Sequence, residues 1–227
     1  MKTVKKNLEQ RDKTELIAII QYMLRQEPDL QWLLQTPLPA ASSRKTAIDL
    51  ELYRQQVLAA LSSGDNQRRR KRGEVERRLT VIKTIADAFT AHEDYAAALT
   101  IYEVLVTEVI EHFNDYRDEY IAFSVILMGC IDGLDSCFAG GKDTPKMRLR
   151  VLRTLFAIYR FYTDSGMDLD EDIPGLLVGN TTPEERHLIA DWVRDALSKS
   201  KASSNSQHYQ VLLTNLQRAD RDKGTRK

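Results

Sequence analysis

The chain has 227 residues, of which 42% are hydrophobic and 29% are charged, and its 33 basic and 33 acidic side chains give a formal net charge of zero. This composition is typical of a folded globular protein and argues against a disordered or membrane-embedded chain. The zero balance excludes a general coat of positive charge for nucleic acid but leaves room for a local basic patch. Ten glycines and six prolines are few for the turns of a sheet-rich fold, so the composition favours helices.

The N-terminal quarter predicts three helices, because apolar side chains recur there at helical spacing. Asp12 and Glu15 precede the stripe of the first helix as a capping pair. A short second helix around residues 30–34 ends at the two prolines within residues 36–39, which do not fit a helix interior. The third helix is predicted over residues 43–61. The stripe of the first helix consists of Leu16, Ile19, Ile20, Met23 and Leu24.

The next block predicts two antiparallel helices on either side of a polar turn at residues 92–94. Small side chains at Ala86 and Ala98 let two such helices approach closely, while Phe89 and Tyr102 fill the space around them. Tyr95 belongs to the apolar face of the second helix. The residues that define this predicted hairpin are Ala86, Phe89, Tyr95, Ala98 and Tyr102.

The order of small and aromatic positions in this hairpin resembles a tetratricopeptide repeat, with apolar Ile82 and Ile85 in front of it. The resemblance departs at the end of the repeat, where Leu105 and Ile110 stand in place of a small residue and a proline. It implies a helical hairpin of the kind that stacks into superhelices.

The remainder of the chain predicts four more helices and no strand, since no stretch alternates with a period of two. Gly140 and Gly141 close the first of them, and Thr182 and Pro183 open the third with a cap and a first-turn proline. The fold class predicted is all-α, an irregular stack of antiparallel helical hairpins. The four helices are expected over residues 116–138, 145–163, 183–198 and 209–216.

The predicted organisation has four segments that pack as one continuous helical domain. The loop composition and the charge run after residue 62 suggest a connector between two helical parts. The segments are N-terminal helices at residues 1–62, a basic connector at 63–73, a tetratricopeptide-like hairpin region at 74–200, and a short helix with a charged tail at 201–227.

The sharpest charged feature is a basic run at residues 68–78. Residues 68–83 contain eight basic residues and only two acidic ones, both glutamates. Such a run can neutralise several phosphates and bind nucleic acid in a salt-dependent manner. Because no aromatic side chain interleaves the run for base stacking, a solvated connector and an arginine contact to a protein partner are the competing interpretations. The residues concerned are Arg68, Arg69, Arg70, Lys71, Arg72, Arg77 and Arg78.

No sequence pattern points to a metal, a cofactor or a catalytic site. Glu108 and His112 share a helix face at i, i+4, but no matching ligand motif stands on a second helix. The acidic stretch at residues 164–172 lacks the glycine and the glutamate of a calcium loop, because Ile173 and Gly179 occupy those positions. It is predicted to be a solvated loop. Phosphate-binding glycine loops, nucleophile elbows and Cys-x-x-Cys pairs are absent as well.

The cysteines and the N-terminus predict a cytoplasmic protein that makes no membrane contact. Cys130 and Cys137 lie seven residues apart on one predicted helix, about 10 Å by helical rise, which is too far for a disulfide. Glu9 and Asp12 interrupt the basic start that a signal peptide would have. The apolar stretch at residues 121–131 is shorter than the roughly 20 residues of a membrane span.

A wider resemblance rests on the order of features from Leu16 to Trp192. That order is an amphipathic helix, a Pro28-Asp29-Leu30 step with Leu34, the hairpin containing Asp94 to Tyr102, an apolar helix with Cys130 and Cys137, an arginine-containing helix at 148–159, and a closing helix with Trp192. It resembles the α-helical region that accompanies the SWIM zinc finger in bacterial proteins. The Cys-x-Cys and Cys-x-His pairs of that finger are absent from the sequence, so the resemblance implies a fold but neither metal nor nucleic-acid binding.

Taken together, these features predict a non-catalytic helical scaffold that mediates protein–protein interaction, with an unidentified protein as its partner. The alternative is a nucleic-acid-associated module that uses the basic run at residues 68–78. An enzyme whose catalytic residues are dispersed along the chain is the least favoured reading, because nothing in the sequence calls for one.

Overall fold

The computed structural model describes residues 2–26, 31, 34, 36, 38–39, 47–62, 73–141, 144–167, 172–199 and 203–224. Within these residues the chain forms ten α-helices, some 3-10 conformation and no β-strand, which confirms the all-α prediction. The chain divides into two compact units, Met1–Leu38 and Pro39–Lys227. The predicted connector at 63–73 falls almost entirely outside the described residues, so the predicted subdivision of the chain stays a prediction.

The first unit contains α1 (Lys2–Glu9), which the sequence analysis did not predict, and α2 (Lys13–Gln26). Helix α2 begins at the predicted cap, where the Asp12 carboxylate accepts a hydrogen bond from the Glu15 amide at 2.8 Å. Its apolar stripe remains at least partly exposed, because no residue of α2 is buried. Most of the predicted short helix at 30–34 lies outside the described residues.

The second unit begins with α3 (Leu50–Ser62), which starts seven residues later than predicted. The reason is a cap at Asp49, whose carboxylate accepts hydrogen bonds from the amides of Glu51 at 3.1 Å and Leu52 at 3.2 Å. Residues 47–49 are not helical. The predicted helix start at residue 43 is therefore wrong.

The predicted hairpin is confirmed as a pair of helices, α4 (Glu74–Ala91) and α5 (Tyr95–Glu111). The polar turn between them bends at Glu93, which adopts a left-handed conformation with φ of 61°. Asp94 then caps α5, since its carboxylate accepts a hydrogen bond from the Ala97 amide at 3.3 Å.

Two long helices follow, α6 (Tyr120–Gly140) after a 3-10 turn (Arg117–Glu119), and α7 (Pro145–Ser165). Gly141 terminates α6, as predicted from the two glycines. The predicted beginning of α6 at residue 116 is four residues early, because residues 117–119 form the tighter turn instead.

The last three helices are α8 (Asp172–Gly179), α9 (Pro183–Lys199) and α10 (Ser203–Gly224). Helix α8 was not predicted. Its Pro174 stands in the first turn, where proline is tolerated, and buried Ile173 and Leu177 hold the helix in place. Helix α9 begins with the predicted Thr182 cap, whose hydroxyl accepts a hydrogen bond from the Glu185 amide at 3.2 Å. Helix α10 is far longer than the predicted 209–216.

In the second unit the helices from α3 onwards pack in chain order. Extensive contacts join α3 to α4 and α5, α4 to α5 and α6, α5 to α6 and α7, and α6 to α7. Helices α8, α9 and α10 pack against one another and against α7. The core between them is built from aliphatic and aromatic side chains that are almost completely removed from water.

Three buried tyrosines fix α6, α7 and α10 to one another with their hydroxyl groups. The Tyr159 hydroxyl donates to the carbonyl of His208 at 2.9 Å, and the Tyr162 hydroxyl donates to the carbonyl of Ser124 at 3.2 Å. The Tyr209 hydroxyl donates to the Asp164 carboxylate at 2.8 Å. Each hydroxyl therefore keeps a hydrogen-bond partner while its ring fills the core, as buried phenols require.

Candidate functional site

The predicted hairpin residues lie at the interface of α4 and α5. Ala86, Phe89, Ala98 and Tyr102 are completely buried, and Tyr95 at the start of α5 is half-buried. The Tyr102 hydroxyl reaches back across the hairpin and donates to the Asp87 carboxylate at 2.7 Å. Burial, reinforced by Asp87, raises the pKa of this phenol far above its ordinary value, so it stays a neutral donor.

Two glycines of α6 receive the two tyrosines of α5: Gly133, which the sequence did not single out, and Gly140, which was predicted only as a helix end. A Cβ atom added at Gly133 would lie 2.1 Å from the Tyr102 hydroxyl oxygen, and one at Gly140 would lie 2.2 Å from the Tyr95 ring. Only a residue without a side chain permits such a close approach. Helix α6 therefore continues the packing of the hairpin, because aromatic rings of α5 lie over the bare backbone of α6.

The basic run divides between undescribed and described residues. Arg68, Arg69, Arg70, Lys71 and Arg72 lie outside the described part of the chain. Arg77 and Arg78 belong to the first turns of α4, where both bind the Glu74 carboxylate, at 2.9 Å and 2.8 Å. These hydrogen bonds hold the pKa of the Glu74 carboxyl below its ordinary value. One glutamate thus offsets part of the charge of these two arginines.

The described residues contain no group of three or more histidine, cysteine, aspartate or glutamate side chains arranged to hold a metal ion. Glu108 is buried on α5 and its Oε1 atom binds the Nε atom of Arg54 from α3 at 2.8 Å. His112 lies further away, with 3.7 Å between its Nε2 atom and the second carboxylate oxygen of Glu108. Of the two residues that shared a predicted helix face, Glu108 therefore ties α3 to α5 through Arg54.

The acidic stretch at 164–172 is not the continuous loop that was predicted. Asp164 lies within α7, where it accepts hydrogen bonds from Arg160 and from Tyr209 of α10. Asp172 is the first residue of α8. Gly166 and Met167 are not helical, and residues 168–171 lie outside the described residues, so for those four residues the loop stays a prediction.

Cys130 and Cys137 are free and buried on α6, as predicted for small hydrophobic side chains. Burial raises the pKa of each thiol to about 12. The thiol of Cys137 faces the carbonyl of Tyr95 at 3.8 Å. Both side chains therefore remain protonated at neutral pH and are held away from oxidants, which is typical of structural cysteines.

Helix α6 is the one helix within the described residues whose length and composition suffice to cross a membrane. The prediction considered only the stretch at 121–131 and overlooked that alanine, cysteine and glycine extend the apolar character to residue 140. In the structure, 56% of the most apolar window is buried inside the protein. The cytoplasmic location stays a prediction.

One face of α6 exposes a row of apolar side chains to solvent. Ile121, Val125 and Met128 follow one another at helical spacing and are 54%, 47% and 46% exposed. Asp132 and Asp135 continue the row one and two turns later. Exposed apolar side chains in a contiguous row are unusual on a monomer and are typical of contact surfaces.

Arg148 fastens three helices of the second unit together. Its guanidinium donates two hydrogen bonds to the Glu185 carboxylate, at 2.7 Å and 2.8 Å, and a third to the carbonyl of Asn180 at 3.0 Å. The same group lies 3.9 Å from the centre of the Phe138 ring of α6. Partial burial works to raise the pKa of Glu185, but hydrogen bonds from Arg148 and the Thr182 amide outweigh it and hold that pKa below its ordinary value.

Glu185→Gln is expected to lower the free energy of unfolding by about 2 kcal/mol at pH 7, because it removes a charge-assisted bidentate contact. The pKa of Glu185 is lower in the folded than in the unfolded chain, so the pair stabilises the fold above about pH 4.3 and is lost as the pH falls through the folded value. Urea unfolding at pH 7, 5 and 3.5 measures this. The variant should lose less stability than the wild type between pH 5 and pH 3.5.

Asp191→Asn serves as the control for this prediction, because the ion pair of Asp191 with Arg194 is exposed on both sides. Its pH dependence should follow that of the wild type. Parallel pH curves for the wild type and Glu185→Gln would contradict the assigned role of the pair.

A groove of about 470 Å³ lies between α8 and α10, with Pro174 and Val178 on one side and Asn215 and Arg218 on the other. It is open to solvent and mixes apolar with polar lining atoms. Its single charged lining residue is Arg218, and one cation without a second functional group facing it does not define a binding chemistry.

No family model, no curated protein and no solved structure matches this chain. The resemblance to the helical region that accompanies the SWIM zinc finger, and with it the bacterial origin that it implies, therefore stays a prediction.

Proposed function

We propose that the chain is a non-catalytic helical scaffold for protein–protein interaction, built as an irregular tetratricopeptide-like stack of antiparallel hairpins. The observation that carries the proposal is the packing in chain order from α3 to α7, in which neighbouring helices and next-but-one helices touch. This pattern is typical of helical repeat proteins, whose units contact only their neighbours along the chain. Such proteins present extended surfaces to partner segments.

The side chains between α4, α5 and α6 support the same proposal. Ala86 and Ala98 are fully buried and leave room for Phe89 and Tyr102. Tyr102 of α5 then packs over Gly133 of α6, so a ring of one helix lies against the bare backbone of the next. A stack fixed in this way is rigid before a partner arrives, and rigidity reduces the entropy lost on binding.

Affinity purification with the full chain tests the proposal. The immobilised protein should retain at least one protein from a lysate, and soluble untagged chain should displace that protein. The purification repeated with the recovered protein as bait should return this chain. If no protein passes both the competition and the reciprocal step, the scaffold function is wrong.

A nuclease step in the same experiment separates the alternative function from the proposed one. A nucleic-acid-associated module loses its captured proteins when the lysate is treated with nuclease. A variant in which the arginines at 68–78 are replaced by alanine should fail to capture them as well. A protein scaffold keeps its partner in both cases. The ion pairs of Arg77 and Arg78 with Glu74 favour the second result, because they offset charge that phosphates would need.

A further inference from the structure

We propose that the exposed row of α6 binds a helical segment of a partner protein that carries apolar residues at helical spacing followed by lysine or arginine. This inference rests on the proposed scaffold function and assigns it a site. The site consists of Ile121, Val125 and Met128, with Asp132 and Asp135 at its C-terminal end.

The apolar part of the site differs from the other exposed hydrophobic residues of the second unit. Ile121, Val125 and Met128 lie on successive turns of one rigid helix whose opposite face is buried in the core. By contrast, Leu188 and Val211 are exposed one at a time on α9 and α10, as is common on protein surfaces. A row at i, i+4 and i+7 presents the geometry that an amphipathic helix recognises through its own apolar stripe.

The acidic part of the site determines the chemistry of the occupant. Within the described part of the chain, neither the Asp132 nor the Asp135 carboxylate receives a hydrogen bond or forms an ion pair. Lys83 packs over Gly129, next to Met128 in sequence, but its ammonium is bound to Asp87 at 2.8 Å. The negative charge at the end of the row is therefore not neutralised by this lysine and attracts a basic partner.

The same charges disfavour a second copy of this helix as the occupant. A parallel pair of α6 rows places Asp132 beside Asp132 of the other copy. An antiparallel pair brings Asp132 towards Asp118, which is acidic and exposed at the beginning of the row. Like charges juxtaposed in an interface select against that pairing. A basic amphipathic helix avoids both conflicts.

Two synthetic helical peptides provide the probes for the full chain. Both carry leucine at i, i+4 and i+7, and one has lysine at the polar positions where the other has glutamate. Fluorescence anisotropy at low salt should show the lysine peptide binding at least tenfold more tightly than the glutamate peptide. Val125→Lys should weaken binding of the lysine peptide at least tenfold, because it places a positive charge, of the same sign as the peptide's lysines, in the centre of the apolar row.

Charge reversal tests the acidic part separately. The double substitution Asp132→Lys with Asp135→Lys should abolish the preference for the lysine peptide or invert it. Leu188→Lys, which changes an exposed leucine on α9, is the matched control and should leave both affinities within twofold. Circular dichroism verifies that each variant is folded, as expected for substitutions at exposed positions.

Three results overturn the inference: equal binding of the two peptides, no binding of either, or the same loss from Leu188→Lys as from Val125→Lys. If the purified chain nevertheless captures a partner that returns it in the reciprocal purification, and Val125→Lys captures that partner equally well, the scaffold function is supported and the site on α6 is contradicted. If the purification yields no such partner either, both the scaffold function and the site are contradicted.

Discussion

Asp220→Ala is expected to lower the free energy of unfolding by about 3 kcal/mol, because it leaves a buried positive charge without its counterion. The side chain of Arg186 is 0% exposed, and its Nε atom donates to the Asp220 carboxylate at 2.6 Å. Its Nη1 atom donates to the carbonyl of Thr181, while Nη2 has no hydrogen-bond partner within the described residues. Asp220 is 31% exposed, so water entering after its removal limits the loss to the lower end of the usual range for buried pairs.

Asp191→Ala provides a matched comparison, since its carboxylate also lies 2.6 Å from an arginine. That arginine, Arg194, is 55% exposed and Asp191 is 69% exposed, so the substitution should cost less than about 1 kcal/mol. Urea unfolding at pH 7 measures both variants. Equal losses would show that burial of Arg186 does not matter.

A double variant separates the unpaired charge from lost packing. Arg186→Met together with Asp220→Leu removes the charge and its counterion at once and fills similar volume, which is often neutral for buried ion pairs. The double variant should therefore be more stable than Asp220→Ala alone. If it is less stable, Asp220 contributes mainly through packing, and the assigned cause is wrong.

The helices of this fold follow from local patterns, and most of them could be predicted. The 3.6-residue recurrence of apolar residues located α2, α4, α5, α6, α7 and α9, and side-chain caps such as Asp12 and Thr182 marked where two of them begin. Helix α10 was predicted too short because its flanking turns are polar. At the C-terminal end the helix is held beyond Leu216 because Asp220, four residues later, is bound by Arg186 of α9.

Apart from the hairpin of α4 and α5, the contacts between helices could not be predicted, because they join residues far apart in the sequence. Arg148 and Glu185 lie 37 positions apart in the sequence, and no local pattern near either residue predicts that they form a hydrogen bond. Gly133 appeared only as part of an apolar helix, and its importance depends on Tyr102 lying opposite. The exposed row on α6 was hidden for the same reason, since the sequence shows an apolar helix but not which of its faces the neighbouring helices leave uncovered.

Gly133→Ala is expected to lower the free energy of unfolding by about 2–3 kcal/mol, because the new methyl group overlaps a ring that cannot move. Its Cβ atom would lie 2.1 Å from the hydroxyl oxygen of Tyr102 and 2.2 Å from the ring carbon that bears it. Tyr102 is completely buried and hydrogen-bonded to Asp87. Displacing the ring therefore breaks that hydrogen bond as well, which outweighs the gain of up to about 1 kcal/mol from the better helix propensity of alanine.

Gly129→Ala on the same helix is the control, for which no loss in the free energy of unfolding is expected. Its Cβ atom would lie 2.6 Å from the Cε atom of Lys83, near the end of a flexible side chain that can move aside. The helix propensity of alanine then dominates, and stability should stay equal or rise by up to about 1 kcal/mol. Thermal and urea unfolding of the two variants, whose substitutions lie one turn apart on α6, compare a methyl group placed against the fixed Tyr102 ring with one placed against the movable Lys83 side chain.

A double-mutant cycle with Tyr102→Leu decides whether the Tyr102 ring causes the loss. The smaller side chain makes room for the methyl group, so the double variant should be destabilised by less than the sum of the two single variants. Strict additivity, or equal losses from Gly133→Ala and Gly129→Ala, would mean that Tyr102 does not pack against Gly133 in solution. The stack of α5 on α6, on which the proposed scaffold depends, would then require a different arrangement.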